Sequence, residues 1–152
     1  MSDGAGWVFN HSDEVRFSDL DTLGHLNNVA FLVFVESARV AYFRSRVPAH
    51  DPALPSSYGI LIAETKITYR SPGHLGERID TFLRPDDLGR TSFRTDFEMR
   101  VGERVIADGY AVLVLYDRDA GRPAPLPSAL RKRLVADGAR ERGRPPSPLT
   151  KL

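Results

Sequence analysis

Arg16-Phe-Ser-Asp19-Leu-Asp21-Thr-Leu-Gly24-His25-Leu-Asn27-Asn28-Val-Ala-Phe31 is a loop rich in Asp, Gly and Asn that delivers the chain into residues 29–46. There the apolar residues Phe31, Phe34, Val35, Ala38, Val40, Tyr42 and Phe43 recur at three- and four-residue steps, with Glu36, Arg39 and Arg44 between them. That period predicts an amphipathic helix with a wide apolar stripe, and so wide a stripe must be buried. At 1.5 Å per residue the helix runs about 27 Å, long enough to lie along most of a sheet. Pro48 and Pro52 are its expected stop.

The period then changes to two. Residues 59–69 place Leu61, Ala63, Thr65, Ile67 and Tyr69 on one face, and Arg70-Ser-Pro-Gly73 breaks that strand. A second strand covers 77–84. The third, 91–101, sets Thr91, Phe93, Thr95, Phe97, Met99 and Val101 against Ser92, Arg94, Asp96, Glu98 and Arg100, so one face is core and the other meets water. Gly102-Glu103 suits a type II′ hairpin into 104–117. That strand is apolar on both faces over 110–116, which predicts a central position or a subunit contact. A short strand at 13–17 precedes the loop, and a short helix at 128–135 follows Pro127. Tight connections among the four consecutive strands imply antiparallel pairing. One helix against one antiparallel sheet is an α+β layer architecture.

The 152 residues suit one domain, read as 1–137, with 138–152 an Arg- and Pro-rich tail too poor in apolar residues to fold. The net charge of +1 is uneven: residues 118–152 carry nine Lys or Arg against three Asp or Glu, which leaves the body at about −5 by difference. No nucleic-acid partner is expected for such a body. No apolar run approaches the roughly 20 residues of a membrane span. The opening MSDGAGWVFNHSDE lacks a basic stretch followed by an apolar one, so a cytoplasmic location is expected. With no cysteine, disulfides, thiolate metal sites and a Cys nucleophile are excluded. His11, His25, His50 and His74 lack the i, i+4 spacing of a helical metal site, and neither metal nor cofactor is expected.

Chemistry is concentrated in the quoted loop. One Asp or Asn before a helix is a cap or a turn residue. Two carboxylates, a Gly, a His and two Asn within ten residues exceed what capping requires.

The pattern Arg16, Phe17, Asp19, Asp21, Gly24, His25, Asn27, Asn28, followed by an aromatic helix with Glu36 and Arg39, resembles the signature of the 4-hydroxybenzoyl-CoA thioesterase family of hot-dog proteins. The resemblance extends through Tyr69-Arg-Ser-Pro72 and Pro125-Leu-Pro127 and covers most of 13–135. It implies a curved antiparallel sheet wrapped around one long central helix, and an acyl-CoA thioesterase that needs no cofactor. It places the catalytic carboxylate on Asp21 and the amide that polarises the thioester carbonyl on Asn28. Free N–H groups at the positive end of a helix suit a developing oxyanion. Asp21 can act as nucleophile or as general base.

Asp19 is expected to be structural, bonding backbone N–H groups or pairing with Arg16. His25 either lines the pocket or orients the turn. Asn27 is expected to cap the helix beside the substrate. Glu36 is either a helix partner of Arg39 or a reader of a polar acyl group. Arg70, at a strand end, is the candidate contact for a coenzyme A phosphate. One helix cannot cover both faces and the edges of such a sheet, so a homodimer or homotetramer is expected. The resemblance puts the active site between subunits. Two other classes compete: a hot-dog hydratase-dehydratase acting on acyl-CoA or acyl-carrier protein, and a non-catalytic acyl-CoA-binding module.

Overall fold

A computed structural model describes residues 6–47, 51–52 and 54–143 of the chain. The elements are β1 (Phe9–Glu14), a 3-10 turn (Phe17–Asp19), α1 (Asn28–Arg46), β2 (Tyr58–Tyr69), β3 (Arg78–Asp86), β4 (Ser92–Val101), β5 (Arg104–Asp117), β6 (Arg122–Pro123) and α2 (Ser128–Ala136). The strands form one antiparallel sheet in the order β1-β3-β4-β5-β2, with β6 added against the end of β5. α1 buries Phe31, Phe34, Val35, Ala38 and Tyr42 in the same core as Phe93, Phe97 and Met99 of β4 and Leu113 and Leu115 of β5. Edge-to-face rings join the layers: Phe43 meets Phe93 at 5.8 Å, and Tyr42 meets Phe9 at 5.6 Å. This is the α+β architecture expected, with the long helix laid against a single sheet.

The alternation of β4 is as predicted, with Phe93, Thr95, Phe97 and Met99 all buried. Gly102 takes φ 59 while Glu103 does not enter the left-handed region, the geometry of a type II′ turn. β5 lies between β4 and β2, which accounts for its two apolar faces.

Four expectations require correction. The first strand is β1 at Phe9–Glu14, not 13–17: Val15 N donates its last sheet bond to Glu77 O at 2.9 Å, and Phe17 turns outward, 82% exposed. Alternating Val15 and Phe17 imitated a strand that the chain had already left. β2 does not pair with β3. It lies beyond β5 at the far edge of the sheet, so the short 70–77 connection crosses the ends of two strands. Val40 is 43% exposed rather than part of the buried stripe. Finally, residues 138–143 are packed: Ala139 is buried, Leu88 N donates to Arg140 O, and Arg142 N donates to Leu88 O. Pro48 and residues 144–152 of the expected tail lie outside the described residues. No helix among the described residues is long and apolar enough to cross a membrane.

Candidate active site

Asp21 opens a tight hairpin whose base is the Leu20–Leu26 bridge. Its backbone N–H donates to His25 O at 2.8 Å, and its Oδ1 accepts from the N–H groups of Leu23 at 2.9 Å and His25 at 3.1 Å. An Asx-type turn is thus formed with one carboxylate oxygen. Among the described residues nothing bonds Oδ2, and the side chain is exposed. One oxygen anchors the residue, while the other remains available for chemistry.

The neighbouring carboxylate has a different task. Asp19 is buried, and its Oδ2 accepts from Arg16 N at 2.9 Å and Arg16 Nε at 3.3 Å. Asp19 O accepts from Asn27 N at 2.8 Å, so this residue ties the loop to the helix entry. Asn27 is the N-cap: its Oδ1 accepts from Val29 N at 2.9 Å. Asn28 is the first residue of α1, where an N–H has no intrahelical acceptor, and no described residue bonds it.

Tyr69, at the end of β2, donates its hydroxyl to Asn28 O at 3.0 Å and meets Phe31 edge-to-face at 5.0 Å. The sheet edge thereby holds the first turn of α1 in place. Tyr69→Phe removes that bond and is expected to lower stability by about 1 kcal/mol, read as a shift of the urea midpoint at unchanged slope.

His25 pairs across the loop with His74, through an isolated backbone bridge and perpendicular rings 5.3 Å apart. Asn27, Asn28 and Tyr69 therefore meet at the N-terminus of α1, and the hairpin that carries Asp21 and His25 leads directly into it. Arg70 follows Tyr69 but grips Asp108 through Nε and Nη2, and this pairing raises its pKa further. Glu36 lies about 12 Å along the helix from Asn28 by helical rise. It lines an open groove of about 400 Å³ together with His11, Val33, Val40 and Arg44. The structure does not bring Glu36 to the helix mouth. Among the described residues no group of three or more His, Asp or Glu is placed to hold a metal ion.

Four residues around the site escaped the sequence reading: Tyr69 as a helix anchor, and His74, Glu77 and Arg104 beneath the loop. The only local signal was His74 and Glu77 spaced i, i+3 in a turn, which an exposed loop shows equally well.

Comparison with known proteins bears on this geometry. The family model of the thioesterase-like superfamily matches residues 15–134. A thioesterase from Thermus thermophilus, solved with coenzyme A and Zn, is 35% identical, covers 93% of this chain and 98% of its own, and superposes with a TM-score of 0.76. A thioesterase superfamily protein from Jannaschia sp. CCS1 is 32% identical over 90% of this chain and 87% of its own, with a TM-score of 0.79. The 1,4-dihydroxy-2-naphthoyl-CoA hydrolase of Synechococcus elongatus is 23% identical over 122 residues, 76% of this chain and 87% of the hydrolase. The resemblance carried by the loop and the helix therefore holds along the chain, which belongs to the thioesterase-like superfamily and is a thioester hydrolase of the hot-dog fold.

Proposed function

We propose that the chain hydrolyses acyl-CoA at the N-terminus of α1, with Asp21 as the catalytic carboxylate and the Asn28 N–H as the oxyanion donor. The observation that carries this reading is the division of labour within Asp21: Oδ1 is held by two backbone amides, and no described residue bonds either Oδ2 or the Asn28 amide that starts the helix one hairpin away. The coenzyme A complex of the Thermus relative and the name of the Synechococcus hydrolase support acyl-CoA as the substrate class.

In the general-base form, Oδ2 takes a proton from water as the water oxygen bonds the carbonyl carbon, and the carbonyl oxygen becomes an oxyanion at Asn28 N–H. Collapse breaks the C–S bond and releases coenzyme A thiolate, a good leaving group because a thiol pKa is about 8.5, and Oδ2 then gives its proton to the thiolate or to solvent, which restores the carboxylate. In the nucleophilic form, Oδ2 attacks first, a mixed anhydride forms as thiolate departs, and water then cleaves it. One preorganised donor such as Asn28 N–H stabilises the transition state by roughly 2.7–4 kcal/mol. His25 borders the reacting group and the Asn27 amide nitrogen faces substrate, its oxygen being used in the cap. Arg70 reaches a coenzyme A phosphate by sharing or exchanging Asp108. Glu36 meets only the far end of a long acyl group.

The test is a panel of short, medium, long and aromatic acyl-CoAs with a thiol reagent. Release of free thiol supports hydrolysis. Hydrated product without thiol, or binding with neither, refutes it in favour of a hydratase or a binding module.

The active form is a homodimer or larger. β2 is a 12-residue edge strand with Leu61 and Ile62 exposed, and α1 presents exposed Val29, Val33 and Val40, surfaces that a second copy would cover. Sedimentation at assay concentration is expected to give at least twice the monomer mass. A fully active monomer would overturn this expectation.

A further inference from the structure

The Asp21 hairpin does not stand alone. Leu26 N donates to Gly73 O at 2.7 Å, and His25 bridges to His74, so the hairpin rests on the 71–77 turn. Contact is close enough that a Cβ at Gly73 would lie 3.0 Å from Leu26 Cβ, and Gly73 is buried. The turn is in turn held by a residue from another part of the sheet. Arg104, the first residue of β5, donates through Nη1 to Ser71 Oγ and Pro72 O, both at 2.6 Å, and through Nη2 to Glu77 Oε2 at 2.6 Å. One guanidinium thus clamps both ends of the turn. Glu77 passes the constraint on: its Oε1 accepts from His74 N at 2.7 Å and faces His74 Nδ1 at 3.0 Å. Desolvation pushes the Glu77 carboxyl upward, but hydrogen bonds from Arg104 and His74 outweigh it and hold the group below the ordinary carboxylate range. It stays an anion and keeps all three donors.

From this arrangement we infer that Arg104, Glu77 and His74 are positioning residues that fix the His25 ring and the hairpin, and through them the direction of Asp21 Oδ2. The inference rests on the reading of Asp21 as the catalytic carboxylate. None of the three touches Asp21 itself. Their action is to remove a freedom: with the turn slack, His25 N and Leu23 N no longer hold Oδ1, and Oδ2 leaves the productive orientation. Misplacement by about 1 Å costs up to 10²-fold in rate, whereas Arg70 keeps its own hold on Asp108 and its backbone bond to Ile106 O, so KM changes little.

The experiment uses the full chain with Glu77→Gln and Arg104→Lys, the second guarding against a folding failure of the first, and two readouts. In steady-state hydrolysis of the best acyl-CoA of the panel, kcat is expected to fall roughly 10-fold or more with KM changed less than about twofold. In amide hydrogen exchange, Leu23 and His25 are expected to exchange faster while β4 and β5 amides do not change. His74→Asn, whose amide nitrogen can replace Nδ1 as donor to Glu77, should restore what His74→Ala loses. Unchanged kcat and unchanged exchange in folded variants overturn the relay, as does an equal loss at Leu23, His25 and the sheet, which would mark plain destabilisation. If the parent chain releases no thiol, the thioesterase reading fails while the exchange arm still judges the relay.

Discussion

Asp21→Asn is expected to lower kcat by roughly 10²–10⁴-fold, the range for losing general-base action, while a non-hydrolysable acyl-CoA analogue still binds. The substitution isolates chemistry from architecture because Oδ1 holds the turn while no described residue bonds Oδ2. An Asn at 21 keeps an Oδ1 that can accept from Leu23 N and His25 N, so the turn survives, and it replaces Oδ2 by an NH₂ that can neither take a proton nor attack a carbonyl. Asp21→Ala removes both and should lose the turn as well as the activity. Asp19→Asn gives the opposite profile. That residue is buried against Arg16, so the change should depress the melting temperature more than turnover per folded molecule. Near-normal turnover of a folded Asp21→Asn variant, or complete loss in a stably folded Asp19→Asn variant, would remove Asp21 from the mechanism.

The parts of this site legible in the sequence are those written in contiguous residues. The 16–31 loop and the helical period place Asp21, Asn27 and Asn28 at one helix entry, and the observed helix begins at Asn28, one residue before the periodic segment. The alternation of β4 gives its buried face directly, because side chains on a strand can only alternate. Partners distant in sequence are another matter. Arg104 reads as an ordinary residue after a hairpin turn, and nothing local says that its guanidinium reaches Ser71, Pro72 and Glu77. The β2–β3 connection is short enough for adjacent strands, yet β2 pairs with β5 along its whole length, in register from Tyr58↔Asp117 to Tyr69↔Ala107 and broken by a bulge after Ile62. Loop length bounds how far a chain can travel, not which edge it joins. Val40 shows the same limit on a helix: an apolar residue on the wrong side of the stripe is exposed unless another chain covers it.

Truncation after Asp137 is expected to lower the melting temperature, against the sequence-based reading of 138–152 as a tail too poor in apolar residues to fold. Composition misleads there because the 138–143 segment docks with charge and backbone more than with apolar area. Asp86 is a buried carboxylate at the end of β3, and Arg140 gives it three bonds: backbone N at 3.1 Å, Nε at 3.1 Å and Nη2 at 2.6 Å. Arg142 grips Asp87 with two bonds of 3.0 Å, and Arg131 of α2 reaches back to Glu141 at 2.6 Å. Removing the segment takes all three Arg140 bonds from Asp86, leaves it the Asp87 backbone N–H and Arg94 at 3.5 Å, and exposes the wall that Ala139 covers.

Acid supplies an independent check. The Arg140 bonds, against the opposing cost of desolvation, hold Asp86 far below the usual carboxylate range, and Arg142 lowers Asp87 likewise. Both folded pKa values lie below the unfolded value of about 3.9, so below about pH 5 the unfolded chain takes up protons that the folded chain refuses. The stabilisation is therefore complete above that pH and is lost as pH falls toward the depressed folded values. Asp86→Asn should be less stable at neutral pH and lose less on acidification. A truncated chain that melts with the parent at pH 7, or an Asp86→Asn variant with the parent's full acid sensitivity, would show that the C-terminal segment is held by something other than these two carboxylates.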